Sequence, residues 1–288
     1  MKYLAILFFP LMLSAQSLSG VIDVHVHADP DSRPRPADVI DVAKLAQARG
    51  MRGIVFKNHS EATAAVVNLV RKLVPGLEVF GGIALNFTVG GMNPAAVEEM
   101  ASVKGGWGRI VWMPTDDAEY GVIRSKQNRP FVRVALNGQV TQEVKAVLAV
   151  IAKRKLTLAT GHIAPEESLL IIREARNLGI DRIVVTHAIV QNMTVPQMQE
   201  AAKMGAFVEF VYNQLVGRRA HTIEEYAAAI RAVGPDHCIV SSDLGQPDNP
   251  LSPDGFVSYI KALQEQGFKE AEIDQMAKKN PATLLGLP

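Results

Sequence analysis

The chain has 288 residues, 48% of them hydrophobic and 20% charged, with 30 lysines and arginines against 29 acids. That length supports one large α/β domain with its own core, and the near-neutral balance gives no basic face for nucleic acid or an anionic membrane. One cysteine, Cys238, excludes an internal disulfide and a cysteine-rich structural zinc site.

The first segment, MKYLAILFFPLMLSAQSLSG, has the layout of a secretory signal. Lys2 is the charged start, Tyr3 to Leu13 the apolar run, and Ser14 and Ala15 the small residues near a cut. The run is shorter than the ~20 residues a membrane span needs. Residues 1–19 are therefore expected to direct export to the periplasm or beyond, and residues 20–288 to form one domain with no membrane contact after signal removal.

The next stretch, GVIDVHVHADPD (20–31), ends an apolar run with two histidines one residue apart. In a strand, residues i and i+2 point to the same side, so His25 and His27 would face one spot. Further short apolar, β-branched runs follow: GIVFK (53–57), EVFGGIAL (78–85), RIVWM (109–113), LTLAT (156–160), RIVVT (182–186), AFVEFVY (206–212) and CIVSS (238–242). Between them lie stretches with helical periodicity at 37–49, 61–74, 94–103, 141–154, 166–178, 195–204 and 222–233. Gly50, Gly179 and Gly234 punctuate helix ends, and PEES (165–168) puts acids in a first turn.

Eight strand–helix alternations predict a parallel α/β fold, a (β/α)8 TIM barrel, with an open doubly wound sheet as the alternative. The irregular stretch is 116–140. There FVRVALNGQV reads as a hairpin turning at Asn137–Gly138, inserted after the fourth strand near the barrel mouth.

In such a barrel the site forms at the C-terminal strand ends. Five of the seven histidines fall there: His25 and His27 after the first strand, His59 after the second, His162 after the fifth and His187 after the sixth. Asp243 ends the eighth. His237 precedes the eighth strand, at the opposite face, and His221 begins a helix. One such histidine is an ordinary polar residue; five with an aspartate point to a divalent metal, zinc, manganese or iron.

Lys57, at the end of the second strand, reads either as a rim lysine with its ammonium in water or as a clamp for a substrate anion. A third reading, a carboxylated lysine bridging two metals, is also open. Glu209, buried mid-strand by pattern, either enters the interior with a partner or reaches the metal. Asn86 and Thr115 end the third and fourth strands and would line the pocket, with His59 beside Lys57 toward the substrate.

DVHVH, His162, His187 and Asp243, in that order on those strands, resemble the amidohydrolase superfamily of metal-dependent barrels, as does the closing NPATLLGLP (280–288), where NPA opens a final short helix. GIALNFTVGGMNPAAVE, VWMPTDDA and LATGHIAPEE resemble an amidohydrolase-related group of bacterial proteins more closely. The resemblance implies His25, His27, His162, His187 and Asp243 as metal ligands, with Asp243 also moving a proton. It implies a hydroxide on the metal attacking an amide, ester or lactone carbonyl of a small molecule. Binuclear members carry a carboxylated lysine, glutamate or cysteine on the fourth strand. Here that strand reads RIVWMPT, and Asp116 and Asp117 could substitute only if their loop turns inward. One metal is therefore expected, zinc first, with His187 free to contact substrate instead. A metal-dependent decarboxylase of the same superfamily and a non-catalytic metal-binding barrel are the rival functions. The resemblance also admits a homo-oligomer.

Overall fold

The computed structural model describes residues 18–217 and 220–288. The expected signal segment through residue 17 lies outside the described residues. Leu18 is fully buried and its N–H donates to Arg49 O at 2.9 Å, so the packed body already includes residues 18 and 19, ahead of the expected start at 20.

Eight parallel strands form one sheet: β1 (Ile22–Val26), β2 (Gly53–Phe56), β3 (Glu78–Ala84), β4 (Gly108–Trp112), β7 (Thr157–Ala159), β8 (Ile183–Val185), β9 (Phe207–Val211) and β10 (Cys238–Ser241). The two remaining strands, β5 (Ala135–Leu136) and β6 (Gln139–Val140), pair antiparallel outside it. The sheet closes on itself. Val26 bridges Leu244, His27 N–H donates to Leu244 O at 2.8 Å, and Asp243 N–H donates to His25 O at 2.8 Å. Closure excludes the open sheet, and the fold is the (β/α)8 barrel.

The helices follow the 3.6-residue periodicity of the sequence: Val39–Ala48, Ala64–Leu73, Pro94–Ser102, Gln142–Arg154, Pro165–Asn177, Val195–Lys203, Ile223–Val233 and Ser252–Glu265. Their starts carry the side chains that satisfy orphan N–H groups. Asp38 accepts from Ile40 and Asp41, Asn93 from Ala95 and Ala96, and Thr194 with Gln197 and Thr222 with Glu225 form reciprocal boxes.

The core has two layers. Helices cover the outer face of the strands, while Ile22, Val24, Val55, Phe80, Ile110, Trp112, Ala159, Val184 and Ile239 fill the interior with Leu284 and Leu285. Those two leucines belong to the closing helix Asn280–Leu285, which stoppers the barrel at the N-terminal end of its strands. Thr157 Oγ1 donates to Leu284 O at 2.6 Å, and Asn280 Nδ2 donates to Cys238 O at 2.6 Å. The mouth at the other end is left for the polar residues.

The stretch after β4 differs in detail from the expected hairpin. It opens with a short helix, Glu119–Arg124, and each hairpin strand is only two residues long. Asn137 and Gly138 both take positive φ, 51° and 74°, as a two-residue turn of the mirror-image type requires.

Candidate metal centre

β1 carries an extra residue: Asp23 pairs with Ile54 but Val26 pairs with Phe56, three residues against two. Without this bulge, strict alternation would put His25 on the face opposite Ile22 and Val24. With it, both His25 and His27 turn toward the barrel axis above the apolar interior. The other rim histidines join them in a ring. Centroids lie 5.4 Å apart for His25 and His27, 5.1 Å for His27 and His59, 5.9 Å for His59 and His162, 5.0 Å for His162 and His187, and 4.9 Å for His187 and His25.

Asp243 reaches into this ring. Its Oδ1 lies 3.0 Å from His27 Nε2 and 3.2 Å from His25 Nε2; its Oδ2 lies 3.6 Å from His187 Nε2 and accepts from Asn213 Nδ2 at 3.2 Å. His187 and Asp243 hold φ of 42° and 51°, left-handed conformations that cost a non-glycine residue stability and cluster at functional sites.

Burial lowers the imidazole pKa values, to about 3 for His27 and about 4 for His187, and well below 6.5 for His59 and His162. These rings are neutral at physiological pH, with lone pairs available. Burial alone would raise the Asp243 carboxyl, but His25, His187 and His27 outweigh it and hold the carboxyl well below its usual range.

Three imidazole nitrogens, His27 Nδ1, His162 Nε2 and His187 Nε2, are buried without a hydrogen-bond partner. Buried polar atoms are normally paired; His187 Nε2, 3.6 Å from Asp243 Oδ2, and His162 Nε2 of the neighbouring ring are orphans that a bound cation would satisfy, whereas His27 meets Asp243 through Nε2 and its orphan Nδ1 is the other ring nitrogen. The donors are nitrogen and carboxylate oxygen with no thiolate, a set suited to zinc, manganese or iron. His25, His27 and Asp243 offer ligand atoms within 4.8 Å of one another, as do His25, His187 and Glu209.

In the second trio, both oxygens of Glu209 are already hydrogen-bonded. Glu209 Oε1 accepts from His25 Nδ1 at 3.1 Å and from Ser241 Oγ at 2.7 Å, and Oε2 accepts from His187 N–H at 3.1 Å. Glu209 thereby fixes His25 as the Nδ1–H tautomer, aims its Nε2 at Asp243, and steadies the strained backbone of His187. Burial would raise this carboxyl too, but His25 and His187 and the Ser241 hydrogen bond bring it down to about 2. Of the two sequence readings of Glu209, this geometry matches entry into the interior with a partner.

Lys57 is not a lysine with its ammonium in water: it is 1% exposed. Its Nζ donates to His25 Nε2 at 3.0 Å and lies 5.6 Å from the Trp112 ring centroid. Burial brings its pKa down to about 8.

Asn86 and Thr115 line the cavity beside His59, but their polar atoms serve one another and that histidine. Asn86 Nδ2 donates to His59 O (2.8 Å) and Thr115 Oγ1 (2.7 Å), Asn86 Oδ1 accepts from Thr115 N–H (2.9 Å), and Thr115 Oγ1 lies 2.8 Å from His59 Nδ1. Asp116 pairs with Arg33 and comes within 3.5 Å of His59 only; Asp117 accepts from Phe87 N–H and pairs with Arg129. Asp116 also borders the cavity that holds Asp243, but the one ring histidine either carboxylate pairs with is His59.

Sequence reading passed over Ser241 and Asn213. Asn213 follows β9, and the rule that singled out the histidines at strand ends would have found it. Nothing local marks Ser241, whose partner lies 32 residues away.

No functionally curated protein matches the sequence. Among solved structures, the organophosphorus hydrolase of Deinococcus radiodurans is 15% identical, with 94% of each chain covered and a TM-score of 0.64. A multiple mutant of a PTE-like lactonase from that organism is 16% identical, covering 94% of this chain and 97% of that one, TM-score 0.65. A candidate 2-pyrone-4,6-dicarboxylic acid hydrolase from Pseudomonas putida is 16% identical, covering 93% and 98%, TM-score 0.64. At these identities the likeness is one of fold. The family profile described only as a family of unknown function, DUF6282, matches residues 20–209, and this chain belongs to that family.

Proposed function

We propose that this protein is a metal-dependent hydrolase of the amidohydrolase superfamily, acting on the amide, ester or lactone carbonyl of a small molecule with one divalent metal, zinc before manganese or iron. The observation that carries this is the convergence of His25, His27 and His187, each through Nε2, on the buried carboxylate of Asp243 at the barrel mouth, with His187 Nε2 unpartnered. The motif order on the strands supports it, as do the fold relatives named for lactone and organophosphorus hydrolysis.

His25, His27 and Asp243 would hold the metal, with His162 and His187 on the far side of the ring as further ligands or substrate contacts. When bound, the metal supplies a Lewis acid that polarises the scissile carbonyl and makes hydroxide available near neutral pH. Asp243 is ionised and faces the ring with both oxygens. Oδ1 points to His25 and His27, while Oδ2, toward His187, can take the proton of the attacking water and return it to the leaving group. Glu209 keeps His25 in the required tautomer. Lys57 and His59, anchored through Nδ1 on Thr115, can donate to the oxygen on which negative charge develops.

Elemental analysis of the purified protein beside His25→Ala, with an ester, lactone and amide panel, tests the reading. It requires about one metal per chain, lost in the variant, and turnover that disappears with the metal. A protein that takes up none of zinc, manganese and iron is not this hydrolase. The same reading has the N-terminal segment cleaved ahead of Leu18 during export, which N-terminal sequencing of periplasmic material checks.

A further inference from the structure

The mouth opens into two lobes. One, of about 700 Å³, contains His27, Lys57, His187 and Asp243; the other, of about 690 Å³, is lined by Arg124, Arg129 and Asp117, and Arg33, His59, Asp116 and His162 border both. Each has the size of a small-molecule site, and such sites are ordinarily walled by apolar side chains. The second lobe is not: Val190 is its one aliphatic lining residue. It brings three guanidinium groups against two carboxylates.

The hydrogen bonds show where the surplus charge lies. Asp117 is fully engaged by Arg129 and Phe87 N–H, and Arg129 in turn uses Nε on Gln127, Nη1 on Asp117 and Nη2 on Asp116 O. That trio braces the loop. Arg33 gives only Nη2 to Asp116, and its side chain is 46% exposed. Among the described residues Arg124 has no carboxylate partner: it makes one 3.3 Å bond to Val190 O and lies 5.7 Å from the Tyr120 ring centroid. Arg33 and Arg124 therefore keep planar, charged donors facing the lobe, the geometry that takes a carboxylate or phosphate in preference to a neutral group.

We propose that this lobe binds an anionic end of the substrate, a carboxylate or phosphate group remote from the scissile bond, through Arg124 and Arg33. The inference rests on the hydrolase reading for the word substrate, but the anion site itself does not need it. Because the lobes meet at His59 and His162, a molecule anchored on the arginines would extend its other end to Asp243. A neutral, apolar lactone or triester would find no matching wall here.

Calorimetric titration of glutarate and of inorganic phosphate into the wild type, Arg124→Gln, Arg33→Gln with Arg124→Gln, Arg124→Lys and His25→Ala tests it, with thermal unfolding confirming that each variant is folded. Saturable binding that weakens about tenfold or more in the Arg→Gln variants, is partly kept in Arg124→Lys, and persists in His25→Ala supports the site. Which probe binds tells carboxylate from phosphate. Binding unaffected by the arginines but lost in His25→Ala places the anion at the metal centre and overturns the proposal, as does absence of saturable binding at millimolar concentration. Arginine-dependent binding in a protein without metal or hydrolytic turnover would sink the hydrolase reading and leave this one standing.

Discussion

Asp243 and Glu209 are two buried carboxylates about one histidine, and the geometry separates their work. Asp243 Oδ1 is shared between His25 and His27, whereas both oxygens of Glu209 are occupied by His25, Ser241 and the His187 N–H. Asp243→Asn should leave circular dichroism unchanged and reduce kcat by roughly 10²–10⁴, the usual contribution of a positioned acid or base. Glu209→Gln should instead weaken metal affinity by roughly 10–100-fold in competition against a chromophoric chelator. An unchanged affinity would remove Glu209 from the site. His237 is exposed at the opposite end of β10, so His237→Ala should keep its metal. Protonation adds a pH test. His27 and His187 titrate near 3 and 4 when folded, against about 6.5 for a histidine in the unfolded chain. Below pH 6.5 the unfolded state takes up more protons, so this contribution is complete above that pH and is lost as pH falls through the window down to about 3. Thermal unfolding of chelator-treated protein should show Tm declining across that interval.

At the scale of elements, the turns between strand and helix set the site as firmly as the strands do. Gly161, at φ +63°, precedes His162, and a Cβ there would overlap the carbonyl oxygens of Met113 and Pro114. The β7 turn can approach the end of β4 this closely only with glycine. Gly161→Ala should cost roughly 1–3 kcal/mol in denaturant unfolding and shift His162 enough to lower metal affinity. The same scale shows what sequence patterns reveal. The helix spanning 142–154 and the strand order were legible because the 3.6- and 2-residue periods are local properties of the chain. The bulge in β1 was not, because one extra residue is defined only against the partner strand β2. The short helix at 119–124 was also hidden, since six residues span less than two turns and give the period little room to show.

For the whole molecule, the apolar interior and the closing helix stopper one end of the barrel and leave the polar ring to the other. Cys238 sits near the stoppered end with no exposure, and burial pushes its thiol pKa up. A disulfide reagent should therefore leave native protein unlabelled and react at the rate of global opening, making this thiol a direct reporter of barrel stability. The order of residues alone determined eight strand–helix units and put five histidines and Asp243 at one rim, since strand ends and helix starts are written in neighbouring residues. The tertiary structure decided which nitrogen faces which oxygen. It buried Lys57 against His25, set Glu209 to orient the His25 ring, committed Asn86 and Thr115 to His59, and left Arg33 and Arg124 with free donors. Those outcomes depend on contacts between segments far apart in the chain, 184 residues for His25 and Glu209, and such contacts are fixed by register and closure, which no local pattern encodes.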